Sequence, residues 1–250
     1  MTAVRAARAS ILLALVVVLS GCGLTGQGFQ PGLAVVVEDR TLTVEHIDQL
    51  SGNYCRGIGD ALEEQDQRVS LRYLGSQVVV PQLTIRTLVE QFAEELGVEP
   101  TDQYRSELSE LQTRVADLDE EAADAVVEVE SARAYYIDVL TTIGESLSED
   151  AGGDAEAGLE AGRLALSTWM ISGARGPGAE EGEAPVLAVN PRYGLRFAET
   201  EAEANEEGPI LRAGTDVSYA VSDMAKWGLA PETVEDPDYL AGLSDRMVCG

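Results

Sequence analysis

The residues able to do chemistry are few. There are three cysteines, Cys22, Cys55 and Cys249, and one histidine, His46. The chain also carries a knot of acids at Asp119, Glu120, Glu121 and Asp124. Two distant cysteines and one histidine do not make a tetrahedral zinc set without carboxylates. The acidic knot lacks the alternating oxygen ligands and central glycine of a calcium loop. Acids at a helix start are favoured by the helix dipole alone, and that is how these are read. His46 could serve as a general base, but no nucleophile or second base stands near it in sequence, so it reads as a partly exposed surface residue. No Ser–His–acid order, Gly-rich phosphate loop or G-x-S-x-G elbow is present. The expectation is a chain without catalytic residues, without a cofactor or metal, and with no small-molecule ligand.

Cys22 sits in a different context from the other two. Arg5 and Arg8 precede an unbroken apolar run, Ile11–Leu19, which leads into Leu19-Ser20-Gly21-Cys22. A positive start, a short apolar core and small residues before a cleavage point make a secretory signal. The run is too short to span a bilayer, which takes about 20 residues. Leu-Ser-Gly-Cys is similar to the lipobox of bacterial lipoproteins. That resemblance implies cleavage before Cys22 and attachment of lipid, palmitate among it, to the cysteine. It places residues 1–21 as a signal peptide and the rest at the extracytoplasmic face of the cell membrane.

With Cys22 given to lipid, Cys55 and Cys249 remain in a compartment that permits disulfides. The expectation is a Cys55–Cys249 bond; the alternative is two free buried thiols. A loop that long would stabilise the fold by on the order of 5 kcal/mol in the chain-entropy picture.

The charge excludes one class of partner. The chain has 44 acids against 17 Lys and Arg, for a net charge of −27. Removing residues 1–21 takes away Arg5 and Arg8 and no acid, which moves the charge from −27 to −29. Such a surface does not neutralise phosphates, so nucleic acid is not expected. Anionic headgroups repel it too, so the membrane link falls to the lipid.

The elements that would position these residues are mainly helical. Residues 22–32 hold four glycines and a proline and read as a flexible tether. Ala34–Val37 reads as a short strand, followed by a turn at Glu38-Asp39-Arg40 and an extended Thr41–Thr43. Thr43 caps a helix whose apolar stripe runs Val44, Ile47, Leu50, Tyr54, Ile58, Leu62. Ser70 caps a long helix to Leu96, kinked at Pro81 and stopped by Gly97. Thr101 caps another, and a further long helix spans about Glu120–Leu147, with Val126, Val129, Tyr136, Val139, Ile143 and Leu147 on its buried face. Glu149–Gly158 reads as a loop, Leu159–Ile171 as a helix and residues 172–184 as a flexible linker. A second β-branched run, Val186–Val189, supplies the partner that Ala34–Val37 lacks. Beyond it lie an acidic insertion at Glu199–Glu207, an irregular Val217–Val221, and short helices near Asp223–Gly228 and Asp238–Leu243. The fold class predicted is mainly α: a bundle of amphipathic helices closed by a two-stranded β element joining residues 34–37 and 186–190.

Strand, helices, then a strand reading Val-Asn-Pro-Arg-Tyr-Gly at Val189–Gly194 resembles the N-terminal domain of SurA-type periplasmic chaperones. The opening Val35–Thr43, the helix pattern Leu83–Glu95 and its close Leu96–Pro100 carry the likeness, which covers residues 33–194. Residues 195–250 form an acidic loop and C-terminal extension pinned to that domain by Cys249. The parvulin isomerase domain that often accompanies this module has no counterpart here, so isomerase activity is not implied. What the resemblance implies is a non-catalytic holdase for unfolded or extended polypeptide clients. The alternative is a structural cell-envelope lipoprotein that binds one folded partner.

Overall fold

The computed structural model describes residues 32–147, 154–176, 179–198, 211–213 and 237–250. It opens with a hairpin, β1 (Leu33–Val37) and β2 (Arg40–Thr43), turned through Glu38, whose φ is +54°. Ala34, Val35 and Val37 of β1 are buried, and the β-branched run suits a strand that is covered. The return strand β4 (Leu187–Val189) pairs antiparallel with β1 through Val35↔Val189, Val36↔Ala188 and Val37↔Leu187. The sheet order is β2-β1-β4. The closing element is therefore three-stranded rather than two-stranded, because the extended Thr41–Thr43 segment also joins the ladder. Asn190 locks the closure: its backbone N–H donates to Ala34 O at 2.8 Å and its Nδ2 donates to Leu33 O at 2.8 Å.

Helix α1 (Val44–Glu64) starts where Thr43 accepts a hydrogen bond from the His46 N–H, and it buries Ile47, Leu50 and Tyr54. A two-residue strand, β3 (Val69–Ser70), follows. Ser70 caps a single α turn, α2 (Leu71–Tyr73), accepting from Tyr73 N at 3.1 Å. The expected kinked helix is broken more specifically than a kink. Leu74–Val79 is a π-helical turn, in which the Val80 N–H reaches five residues back to Gly75 O, and α3 (Val80–Leu96) continues from it. Pro81 has no N–H for the carbonyl at Gln77 and its ring crowds that oxygen; the widened turn relieves both. The extra residue shifts the helical phase, so Val79, Val80 and Leu83 are buried while Val78 and Ile85 are only partly so. Gly97 ends α3 in the left-handed conformation, with φ +69°.

Thr101 caps α4 (Asp102–Arg114), and α5 (Glu120–Leu147) runs as expected. Its buried aromatic is Tyr135 rather than the expected Tyr136, and Leu147 is exposed. The next helix begins earlier than expected. Asp154 caps α6 (Ala155–Ser172), accepting from the N–H groups of Glu156 and Ala157, so the end of the supposed 149–158 loop is helical. Helix α5 is the axis of the bundle, packed by α1, α3, α4 and α6. Helices α5 and α6 approach backbone to backbone: a Cβ on Gly162 would lie 1.9 Å from Leu140 O, and one on Gly144 would lie 1.8 Å from Gly158 O.

Within 172–184, Gly182 N donates to Ser172 O at 2.9 Å and Ala174 is buried, so the described part of the expected linker is packed. After β4, a 3-10 turn (Pro191–Tyr193) leads to β5 (Leu195–Phe197), which pairs with β6 (Leu211–Ala213). A short helix, α7 (Pro237–Ala241), and β7 (Val248–Cys249) end the chain, with β7 antiparallel to β3. The elements expected at Glu199–Glu207, Val217–Val221 and Asp223–Gly228 lie outside the described residues. No helix among the described residues is long and apolar enough to cross a membrane.

Candidate functional site

Cys22 and all of the tether before Gly32 lie outside the described residues. Cys55, on α1, and Cys249, on β7, stand together as a disulfide pair with Cα atoms 5.6 Å apart. That separation is inside the range such a bond needs. One short ladder of two paired positions brings them there. Val69↔Cys249 and Ser70↔Val248 hold the chain end beside β3, and β3 follows α1 directly. Strands of two residues carry no periodic signal, so this clamp was not readable in the sequence.

His46 projects from the first turn of α1 to Glu128 of α5, with Nε2 3.1 Å from Oε1, and both side chains are about two-fifths exposed. Its neighbour is thus a carboxylate on a partly open surface. Asp119 caps α5 by accepting from the Ala122 N–H, and Arg56 pairs with Glu121 at 2.8 Å. Among the described residues no group of three His, Cys, Asp or Glu side chains could hold a metal ion.

A polar belt crosses the sheet and the bundle. Arg40 of β2 pairs with Glu90 at 2.9 Å and with Glu94 of α3. Glu90 also receives Arg86 Nε at 2.8 Å, and Arg86 donates to Ser131 of α5 at 3.1 Å. The Arg86 guanidinium lies 5.6 Å over the Tyr135 ring, which meets Tyr104 edge-on at 5.4 Å. Both are attractive contacts, one of a cation with a ring face and one of a ring edge with a ring face. Burial tends to lower both arginines, but their carboxylate partners outweigh it and hold them above their ordinary range. Burial pushes the Tyr135 hydroxyl up to about 12. Tyr54 donates to Glu130, and burial with that carboxylate drives its pKa well above the ordinary tyrosine range.

Where the closing strand meets the ends of α3 and α6 lies an open cleft of about 610 Å³. Glu38, Glu95, Trp169, Arg175, Glu183 and Val186 are among its lining residues. Glu95 accepts from Trp169 Nε1 at 3.2 Å and from Arg175 Nε at 3.3 Å, and the Trp169 ring packs 5.2 Å from Phe92. Gly173 shapes the wall: its φ is +68°, and a Cβ there would meet Glu183 O at 2.4 Å. Only glycine takes that conformation without steric cost. The cleft has one exposed large apolar side chain among the described residues, Val186, 44% exposed. The other exposed large apolar residues among those described are Ile137, Leu147, Leu164 and Met247. A second cleft, about 480 Å³, lies between residues 65–68 and α7.

No family model, curated protein or solved structure matches this chain.

Proposed function

We propose that this chain is a lipid-tethered, non-catalytic binding module on the extracytoplasmic face of the cell membrane, and that it holds unfolded or extended polypeptide. Two observations support the reading. The sequence before Cys22 has the form of a lipoprotein signal. The helical bundle is closed by pairing of β1 with β4, the order of elements on which the likeness to SurA-type N-terminal domains rests. The second is the observation that carries the reading. The cleft beside that closure, with Trp169 in its wall and Val186 at its surface, is the place where an extended segment would lie.

One observation favours the second reading, a scaffold for one folded partner. A holdase needs apolar surface that stays uncovered. Among the described residues, exposed large apolar side chains number five, and the most open is Val186 at 44%. A single experiment separates the readings. The chain is added in excess to a chemically unfolded client during dilution, and light scattering is followed. Suppressed scattering that weakens in Val186→Glu supports client holding. Undiminished scattering, together with one crosslinked envelope partner, assigns the scaffold instead. The tether is tested separately: radiolabelled palmitate should enter the wild type and not Cys22→Ser.

A further inference from the structure

Client holding needs apolar surface, and the bundle shows little of it: the most open large apolar side chain among the described residues is Val186, 44% exposed. Apolar surface under a detachable cover would meet the need. The C-terminal segment Pro237–Gly250 is such a cover. It comprises α7, the 3-10 turn Asp245–Met247 and β7. Its own Tyr239, Leu240 and Cys249 are buried, and so is Val69 of β3, which pairs with Cys249. A Cβ on Gly250 would lie 3.2 Å from Leu62 Cβ and 2.3 Å from Gln67 O, so the chain end is seated closely on the last turn of α1.

The hold on this segment is concentrated at one point. Strand β7 packs on α1 and β3, whereas α7 packs broadly on no single described element. Beside α7 lies the cleft of about 480 Å³ that separates it from residues 65–68. The ladder of β7 with β3 has two paired positions, Val69↔Cys249 and Ser70↔Val248. A strand pair that short is not stable by itself. The Cys55–Cys249 bond keeps it formed across 194 positions of sequence, and closing so long a loop without a covalent link costs much chain entropy. Cys55 is partly exposed, and Cys249 is 1% exposed.

We propose that Pro237–Gly250 is a redox-released strap over a client-binding surface. The inference rests on the client-holding reading and supplies the surface that reading lacks. A thiolate of an external dithiol attacks the sulfur of Cys55, the more exposed of the two residues. The bond to Cys249 breaks, and Cys249 departs as a thiolate that takes up a proton. The second thiolate of the reductant attacks its own sulfur in the mixed disulfide, and Cys55 leaves as the second thiol. Two electrons and two protons pass to the chain, and the dithiol becomes a disulfide. Without the bond the two-position ladder opens. Leu62 and Val69 of the body, with Tyr239 and Leu240 of the strap, then become surface that an unfolded client can cover.

The test compares the full oxidised chain with the same chain reduced by dithiothreitol and with Cys55→Ser/Cys249→Ser. Trypsin cleavage after Arg246, exposed in the strap, is followed by mass spectrometry; far-ultraviolet circular dichroism reports the helices, and light scattering reports a diluted, chemically unfolded client. Both disulfide-free chains should keep the helix signal and be cut at Arg246 faster by about tenfold or more, since cleavage follows the population of the open strap. They should also suppress scattering more strongly than the oxidised chain. Equal suppression in the two redox states, or unchanged cleavage at Arg246, overturns the strap and leaves client holding standing. Suppression in neither state overturns client holding, and the strap's role with it. Loss of the helix signal on reduction overturns the strap as a separable element. The reduced wild type decides the question even if the double variant fails to fold.

Discussion

Replacing Gly162 with alanine should destabilise the bundle at its centre, although alanine is the better helix former. On propensity alone Gly→Ala in a helix interior stabilises by about 0.5–1 kcal/mol. Gly162 lies within α6, and its added Cβ would sit 1.9 Å from Leu140 O, 2.7 Å from Leu140 C and 3.1 Å from Leu140 Cα. Real Cβ contacts essentially never fall under 3.0 Å, so α5 and α6 must part by at least 1.1 Å, which is 3.0 Å less 1.9 Å. The obstacle is backbone, and no rotamer can yield. Parting the helices loosens Leu140, Ile143, Ala165 and Leu166, all fully buried. Overpacking of this kind costs about 1–3 kcal/mol and more where the backbone cannot give, so a net loss of about 3 kcal/mol is expected. For a unit spanning Gly32–Gly250, that is a fall of roughly 6–12 °C in Tm. Gly59→Ala on α1 is the matched control: nothing lies within 4 Å of its added Cβ. It should gain about 0.5–1 kcal/mol. Thermal melts of the two variants followed by far-ultraviolet circular dichroism make the measurement. Equal stability of Gly162→Ala and Gly59→Ala would refute the backbone approach of α5 to α6.

Three further outcomes follow from single buried groups. Thr84 is fully buried on α3 and its hydroxyl has no partner among the described residues. Thr84→Val should therefore raise stability by about 1 kcal/mol, read as a higher urea midpoint at unchanged slope; a comparable loss would mean the hydroxyl is bonded. Burial holds Tyr135 and Tyr193 neutral up to about pH 12. Their stabilisation is complete below the ordinary tyrosine pKa of about 10 and is lost as pH rises from there toward 12, by on the order of 2 kcal/mol each once solvent screening is allowed for. Tyr193→Phe should remove its share of that alkaline loss, as measured by denaturation at stepped pH. The oxidised chain should show no thiols from Cys55 and Cys249 under denaturing titration, and reduction should lower its stability by a few kcal/mol.

Much of the scaffold was legible because caps are local chemistry. Thr43, Ser70 and Thr101 each accept the backbone hydrogen bond that their side chains suggested, and Gly97 takes the left-handed conformation that ends α3. The start of α6 was missed because Asp154 stands among alanines, glycines and acids that have no apolar stripe, yet its carboxylate alone organises the first turn. Tyr135 and Tyr136 could not be ranked from spacing. Helix α5 is packed by four helices, so its buried arc is wider than a single stripe. The strands β3, β5, β6 and β7 hold two or three residues each, too few to alternate. Of the candidate site, the pairing of Cys55 with Cys249 could be reached by elimination. The enclosed Arg72 Nε and Tyr193 hydroxyl, which have no hydrogen-bond partner among the described residues, could not, because a donor lacks a partner only relative to what the fold brings near it.

That last point gives Pro81 a meaning beyond a kink. A proline within a helix normally loses one hydrogen bond and bends the axis. Here the loss is absorbed by a π turn, and the added residue resets which side chains face inward. The turn so produced is the one that packs on Pro191–Tyr193, directly after Arg72. The facing turn is itself fixed by Asn190, which accepts from Arg192 N at 3.0 Å while clamping the sheet to Leu33. Two sequence features that read as structural punctuation, Pro81 and Asn-Pro-Arg-Tyr-Gly, thus meet at one packed contact between the π turn and the 3-10 turn.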